Sequence, residues 1–139
     1  MTYSKHFPPD DCPPSQSDIA SGQFYRFIKK AHERPHPKDF LSWRQEFPDK
    51  ECPVGLCECQ ACGVSIHSSL DDAKNLSLRI PRFKNMKIAK GMLSGGLGRT
   101  KHTPSRHEKS HHTWWIPEDS EPSKVFELID ANKEDSTKT

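Results

Sequence analysis

Apolar residues are scarce in this chain, and their scarcity limits the fold to one small core. They make up 32% of the 139 residues, and the seven glycines add little. A typical globular domain reaches roughly 45–50% when glycine is counted. We therefore expect a single domain over residues 15–130. A flexible N-terminal arm over residues 1–14 and a disordered tail over residues 131–139 would flank it.

The apolar residues occur in short runs, which are typical of strands rather than of long helices. Phe40, Trp43 and Phe47 have the spacing of one helical face and predict a helix over residues 37–47. Ser69 is placed to cap a second helix. The fold class is thus α+β, with a mixed or antiparallel sheet of about five short strands and two or three helices. The predicted strands span residues 23–28, 63–67, 86–93, 112–116 and 125–129.

A strongly basic block lies between residues 79 and 112. It holds nine lysines and arginines against the single acid Glu108, whereas the whole chain has a net charge of only +2. Like charges gathered in this way indicate an anionic ligand, such as a phosphate group, a nucleic acid or an acidic protein surface.

The second half of this block offers candidate ligand-binding groups. Arg99 and Lys101 follow a glycine-rich turn whose backbone amides could meet a phosphate, although a mobile surface loop fits the same residues. His102 and His112 are candidate acids, bases or ligands near neutral pH. Trp114 is either a stacking platform for a base or part of the core.

Four of the five cysteines lie close together, which suits a zinc site. An odd number of cysteines argues against a secreted disulfide framework, so we expect reduced thiols or metal ligation. A reduced loop that binds no metal is the alternative. A thioredoxin-type role is weaker, because no helix follows the cluster. The candidate ligands are Cys52, Cys57, Cys59 and Cys62.

Arg26 and Glu127 each alternate with apolar residues on a predicted strand. A charge in such a position needs a partner, so the two are expected to pair, either inside the core or at the base of a cleft. His67 and Ser65 share the outward face of another predicted strand.

The order of these segments resembles that of small ADP-ribosyltransferase-like domains. The resemblance lies in residues 24–28 with Arg26, in residues 63–73, and in Glu127 on a late strand. It implies an NAD-using transferase in which Arg26 and Ser65 or His67 hold NAD, while Glu127 orients the nicotinamide ribose.

Three functions remain open at this level. The chain could be a nucleotide-dependent transferase that uses NAD, a zinc-stabilised nucleic-acid-binding module, or a regulatory protein that binds an acidic partner. No run reaches the roughly 18 apolar residues that span a bilayer, and the start of the chain does not read as a signal peptide. We expect a cytoplasmic protein without membrane association.

Overall fold

The computed structural model describes residues 1–130. The predicted tail over residues 131–139 lies outside them. The described residues form an α+β domain with one seven-stranded antiparallel sheet and three short α-helices. The strands run in the spatial order β1-β5-β6-β3-β2-β4-β7. Their bounds are β1 Asp18–Ile19, β2 Gly22–Ile28, β3 Val64–His67, β4 Lys87–Leu93, β5 Arg99–His102, β6 His111–Trp115 and β7 Phe126–Ile129.

The α+β class and all five predicted strands are confirmed, but the sheet has two strands more than expected. β1 has only two residues, and β5 reads Arg-Thr-Lys-His, without apolar alternation. Neither carries the pattern by which strands are recognised from sequence. β5 pairs with β6, so the segment expected to be a flexible phosphate loop is partly strand.

The helices are α1 Trp43–Glu46, α2 Glu58–Ala61 and α3 Leu70–Arg79. The single helix expected over residues 37–47 is wrong, because the chain forms a 3-10 turn at Pro37–Phe40 and then the separate α1. Ser42 causes the break. It has extended backbone, and its hydroxyl caps α1 by accepting a hydrogen bond from the Gln45 amide at 3.1 Å. The helix predicted after Ser69 is confirmed.

Strand alternation divides the core between the two faces of the sheet. One face carries the larger cluster, in which Phe24, Ile66 and Trp114 are buried with Phe40 from the 3-10 turn. The other face packs against the apolar side of α3. The residues of this second cluster are Tyr25, Phe27, Ile88, Leu70, Ala73 and Leu76.

The sheet opens between its two central strands. β2 pairs with β4 along all seven of its residues, but it pairs with β3 only where Tyr25 lies opposite His67. Beyond this pair the strands separate. This separation leaves backbone groups and side chains of β2 and β3 uncovered. These groups line a gap between the two strands.

Residues 1–14 lie against the rest of the domain. The Glu118 amide donates to Thr2 O at 2.8 Å, and a disulfide joins Cys12 to Cys59 on α2. The expectation of reduced thiols is therefore wrong for these two cysteines. They are 47 residues apart, and only the fold brings them together.

No helix within residues 1–130 combines the length and the apolar character needed to cross a bilayer.

Candidate ligand-binding cleft

The gap between β2 and β3 continues into a cleft of about 430 Å³. Its polar side is built by the two strands and by β6, and its apolar side by the segments that contain α1 and α2 and by the turn after α3. Clefts of this size hold small ligands. The main lining residues are Arg26, Ser65, His111, Thr113, Trp43, Phe47, Arg82, Phe83 and Glu46.

Arg26 enters the cleft from β2 as a half-buried guanidinium. It donates from Nε to Asp39 O at 2.8 Å and from Nη1 to Ser65 O at 2.6 Å. Burial lowers its pKa to about 10, although Asp39 and Glu46 oppose the change. The side chain therefore remains charged at neutral pH. Its hydrogen bonds go to carbonyl groups rather than to a carboxylate, so they orient the charge without neutralising it.

Ser65 and His111 face each other across the β3–β6 pair. Ser65 Oγ lies 2.8 Å from His111 Nε2, and His111 Nδ1 lies 2.9 Å from both Thr103 O and Thr103 Oγ1. The Thr103 hydroxyl is in turn 2.8 Å from Thr113 Oγ1. These contacts fix the imidazole on both sides and aim it at the exposed serine.

His67 lies opposite His111 in the β3–β6 pair and, unlike Ser65, it is buried rather than exposed on the outward face as predicted. It is 2% exposed, and its ring centroid is 5.5 Å from that of His111 with an edge-on orientation. Burial lowers its pKa to about 4, and the neighbouring His111 adds to the effect. At neutral pH His67 is therefore an uncharged support for His111.

Aromatic rings line the side of the cleft opposite the serine and histidine. The rings of Trp43 and Phe47 are 5.4 Å apart, and Phe83 stacks on Phe27 at 4.4 Å. The Arg82 guanidinium lies 4.6 Å from the Phe83 ring centroid. A planar group entering the cleft would meet aromatic side chains and a second cation.

Glu127 does not join this cleft, and the predicted Arg26–Glu127 pair is wrong. Arg26 lies opposite Ala89 on β4, whereas Glu127 lies opposite the neighbouring residue Lys90. Adjacent positions of a strand face opposite sides of the sheet, and β4 separates the two residues as well. Glu127 is exposed and lines a different, shallow depression with Glu33 and Arg34.

The three predicted binding residues of the basic block do not line the cleft. Arg99 is held by Ser17, with its Nε 2.7 Å from Ser17 Oγ and its Nη2 on Ser17 O. His102 Nε2 is 2.7 Å from Lys109 O, and Lys101 pairs with Thr113 within the sheet.

Trp114 is fully buried and donates from Nε1 to Leu97 O at 2.7 Å, so it is a core residue and the stacking role is wrong.

His112 faces the side of the sheet opposite His111, as strand alternation predicts. Its ring meets Phe24 edge-on at 5.0 Å and lies 4.8 Å from the His102 ring. Burial lowers its pKa, opposed by the hydrogen bond with Ser110 O. His112 therefore lies on the face opposite Ser65, and it does not line the cleft.

The cysteines do not converge on one point. Cys59 is bonded to Cys12, Cys52 Sγ donates to Glu58 Oε2 at 2.7 Å, and Cys57 is exposed. Cys62 is buried, which raises the pKa of its thiol to about 11, and its Sγ donates to His6 O at 3.4 Å. Within residues 1–130 no three histidine, cysteine or acidic side chains group in a way that would hold a metal ion. The residues present thus do not fit a zinc site.

The sequence did not indicate a function for the aromatic wall and Arg82, which line the cleft, or for Thr103, which holds His111 from outside the lining. Trp43 and Phe47 have helical spacing, which is a signal for core packing. Thr103 acts through contacts that depend on the β5–β6 register. The only sequence signal for any of these residues was the basic block, which contains Arg82 and Thr103.

Comparisons with protein-family models, with curated proteins and with solved structures find no match for this chain.

Proposed function

We propose that the cleft between β2 and β3 binds a small phosphate-bearing ligand of the nucleotide class. The observation that carries the proposal is the half-buried charge of Arg26, which is oriented by two carbonyl groups beside the Ser65 hydroxyl. A cation placed in this way attracts an anion, and a guanidinium suits phosphate oxygens in geometry as well as in charge.

The rest of the lining supports a nucleotide rather than a simple anion. Trp43 and Phe47 provide aromatic surface for a base, and Arg82 adds a second positive charge near the rim. Stacking on aromatic rings contributes about 1–3 kcal/mol per base in proteins that bind nucleic acid bases. Glu46 lines the same cleft, and a carboxylate there suits hydrogen bonds from a ribose hydroxyl.

A small ligand fits this geometry better than a long nucleic acid. Several cations of the basic block are held internally: Arg79 donates to His107 O, Lys87 to His32 O, and Arg99 to Ser17. A polyanion needs a continuous row of free cations along its backbone. The proposal includes NAD as a ligand, but it does not extend to ADP-ribosyl transfer, because Glu127 lies outside the cleft.

Isothermal titration calorimetry with adenosine monophosphate, NAD, adenosine and inorganic phosphate tests the proposal. We expect the two nucleotides to bind and adenosine to bind more weakly, because it lacks the phosphate. Arg82→Gln should weaken nucleotide binding by about 3–10-fold, as expected for loss of one exposed charge contact of about 1 kcal/mol.

Lys84→Gln is the matched control, because Lys84 is an exposed cation two residues away that does not line the cleft. Equal losses in the two variants would show unspecific attraction to the basic block. Absence of binding by both nucleotides would refute the proposal.

A further inference from the structure

We propose that Ser65 is a nucleophile activated by His111, which would make the cleft a catalytic site for acyl esters carried on a phosphate-bearing compound. This inference rests on the proposed ligand class for its substrate. The serine–histidine pair itself rests on separate contacts.

The tautomer of His111 follows from its contacts. Nδ1 lies 2.9 Å from the carbonyl oxygen of Thr103, which can only accept, so Nδ1 carries the proton. In the neutral ring, Nε2 then has a free electron pair, and it lies 2.8 Å from Ser65 Oγ. The serine hydroxyl must therefore donate to the histidine. Nucleophile, base and orienting group stand in the order of a catalytic serine triad, with a backbone carbonyl as the third member.

The position of the pair suits catalysis. Ser65 is exposed on the wall of the cleft, so a bound molecule reaches its Oγ without any rearrangement. His67 packs edge-on against His111, and burial lowers its pKa to about 4, so it supports the ring without adding a charge. Arg26 binds the carbonyl of Ser65 itself at 2.6 Å. Its charge favours the negative oxygen that develops when the serine attacks.

The chemistry balances with water as the second reactant. Ser65 Oγ bonds to the carbonyl carbon of the ester while its proton moves to His111 Nε2. The bond from that carbon to the alcohol oxygen then breaks, and His111 returns the proton to the departing oxygen. Water, deprotonated by His111, attacks the acyl-serine and the bond to Ser65 Oγ breaks, which releases the carboxylic acid. His111 returns the proton to Ser65 Oγ and so restores the hydroxyl.

Covalent labelling tests the pair directly. The full-length protein is incubated with an alkyl fluorophosphonate, which phosphonylates activated serines with loss of fluoride, and the adduct is located by peptide mass spectrometry. We expect one adduct, on Ser65, and none in Ser65→Ala. His111→Gln should slow labelling by about 10²-fold, at the lower end of general-base contributions. Its circular dichroism spectrum shows whether the variant is folded.

Ser68→Ala is the matched control, because Ser68 is an exposed serine nearby that does not line the cleft. It should label like the wild type. Wild-type protein without an adduct on Ser65, or folded His111→Gln that labels as fast as wild type, would overturn the inference.

Adenosine monophosphate separates this inference from the proposed function. If calorimetry detects nucleotide binding but Ser65 is not labelled, the catalytic pair is refuted and the binding site stands. If Ser65 is labelled but neither nucleotide binds, the activated serine stands and the assignment of its substrate class is overturned.

Discussion

At the scale of single residues, the cleft depends on Arg26, whose guanidinium donates to Ser65 O at 2.6 Å. Ser65 and His67 were candidates because they share one face of β3, and Arg26 because it interrupts an apolar strand pattern. The fold brings the Arg26 guanidinium to the β3 backbone at Ser65. Glu127 interrupts a strand in the same way but lies elsewhere. The difference is one residue of register on β4, and no local pattern encodes it.

The buried His67 predicts a loss of stability in mild acid. Its pKa is about 4 in the folded protein and 6.5 in the unfolded chain. Below pH 6.5 the unfolded chain therefore binds a proton that the folded protein does not bind. The stability that comes from burying His67 in its neutral form is fully present above pH 6.5 and is lost as the pH falls towards 4. The free energy of unfolding should decrease by roughly 2–3 kcal/mol over this interval.

Urea unfolding at a series of pH values measures the effect. His67→Phe removes the titrating group and should flatten the curve between pH 6.5 and 4. His107→Gln removes an exposed histidine and should leave the slope as in wild type. A wild-type slope that persists in His67→Phe would contradict the assignment.

At the scale of elements, apolar alternation predicted five strands because those segments bury one face, and the capping position of Ser69 predicted the helix that follows it. Alternation failed for β5, which is polar throughout and is held by pairing with β6. The helical spacing of the aromatic residues also failed as a signal for residues 37–47, because the capping preference of Ser42 overrides it. The opening between β2 and β3 depends on how two distant strands pair, so no local signal could reveal the cleft.

Close packing between β4 and β7 predicts a sharp cost for a methyl group at Gly91. A Cβ there would lie 2.7 Å from the Phe126 ring, and the ring is itself buried in the core. Gly91→Ala should lower the free energy of unfolding by about 1–3 kcal/mol, the usual cost of overpacking.

Gly96→Ala provides the comparison, since nothing lies within 4 Å of a Cβ at that position. Urea denaturation should place this variant within about 0.5 kcal/mol of wild type. Equal stability of the two variants would show that β7 does not pack on β4 as described.

At the scale of the whole molecule, a disulfide adds to the stability that the small core provides. The disulfide from Cys12 to Cys59 closes a long loop and fastens residues 1–14 to α2, beside the segment that enters β3. The sequence favoured reduced cysteines because four of them are neighbours. The fifth, far away in the chain, forms the bond.

Cys12→Ser should destabilise the protein by about 2–4 kcal/mol, because a chain without the cross-link gains conformational freedom when it unfolds. Cys57→Ser is the control, since Cys57 is exposed and unbonded. A digest of the wild-type protein without reductant should contain the linked Cys12 and Cys59 peptides. Free thiols at both positions would contradict the presence of this disulfide, and equal stability of the two variants would contradict its stabilising effect.

The most direct test of the binding cleft is a ¹H–¹⁵N correlation spectrum of the protein titrated with adenosine monophosphate. We predict saturable shifts of the backbone amides around Ser65, His111 and Arg82, which line the cleft. Amides at residues 95–102, where the basic block and the glycine-rich turn first indicated a phosphate site, should move little. Shifts centred on residues 95–102, or no saturable shifts at all, would contradict the proposed site.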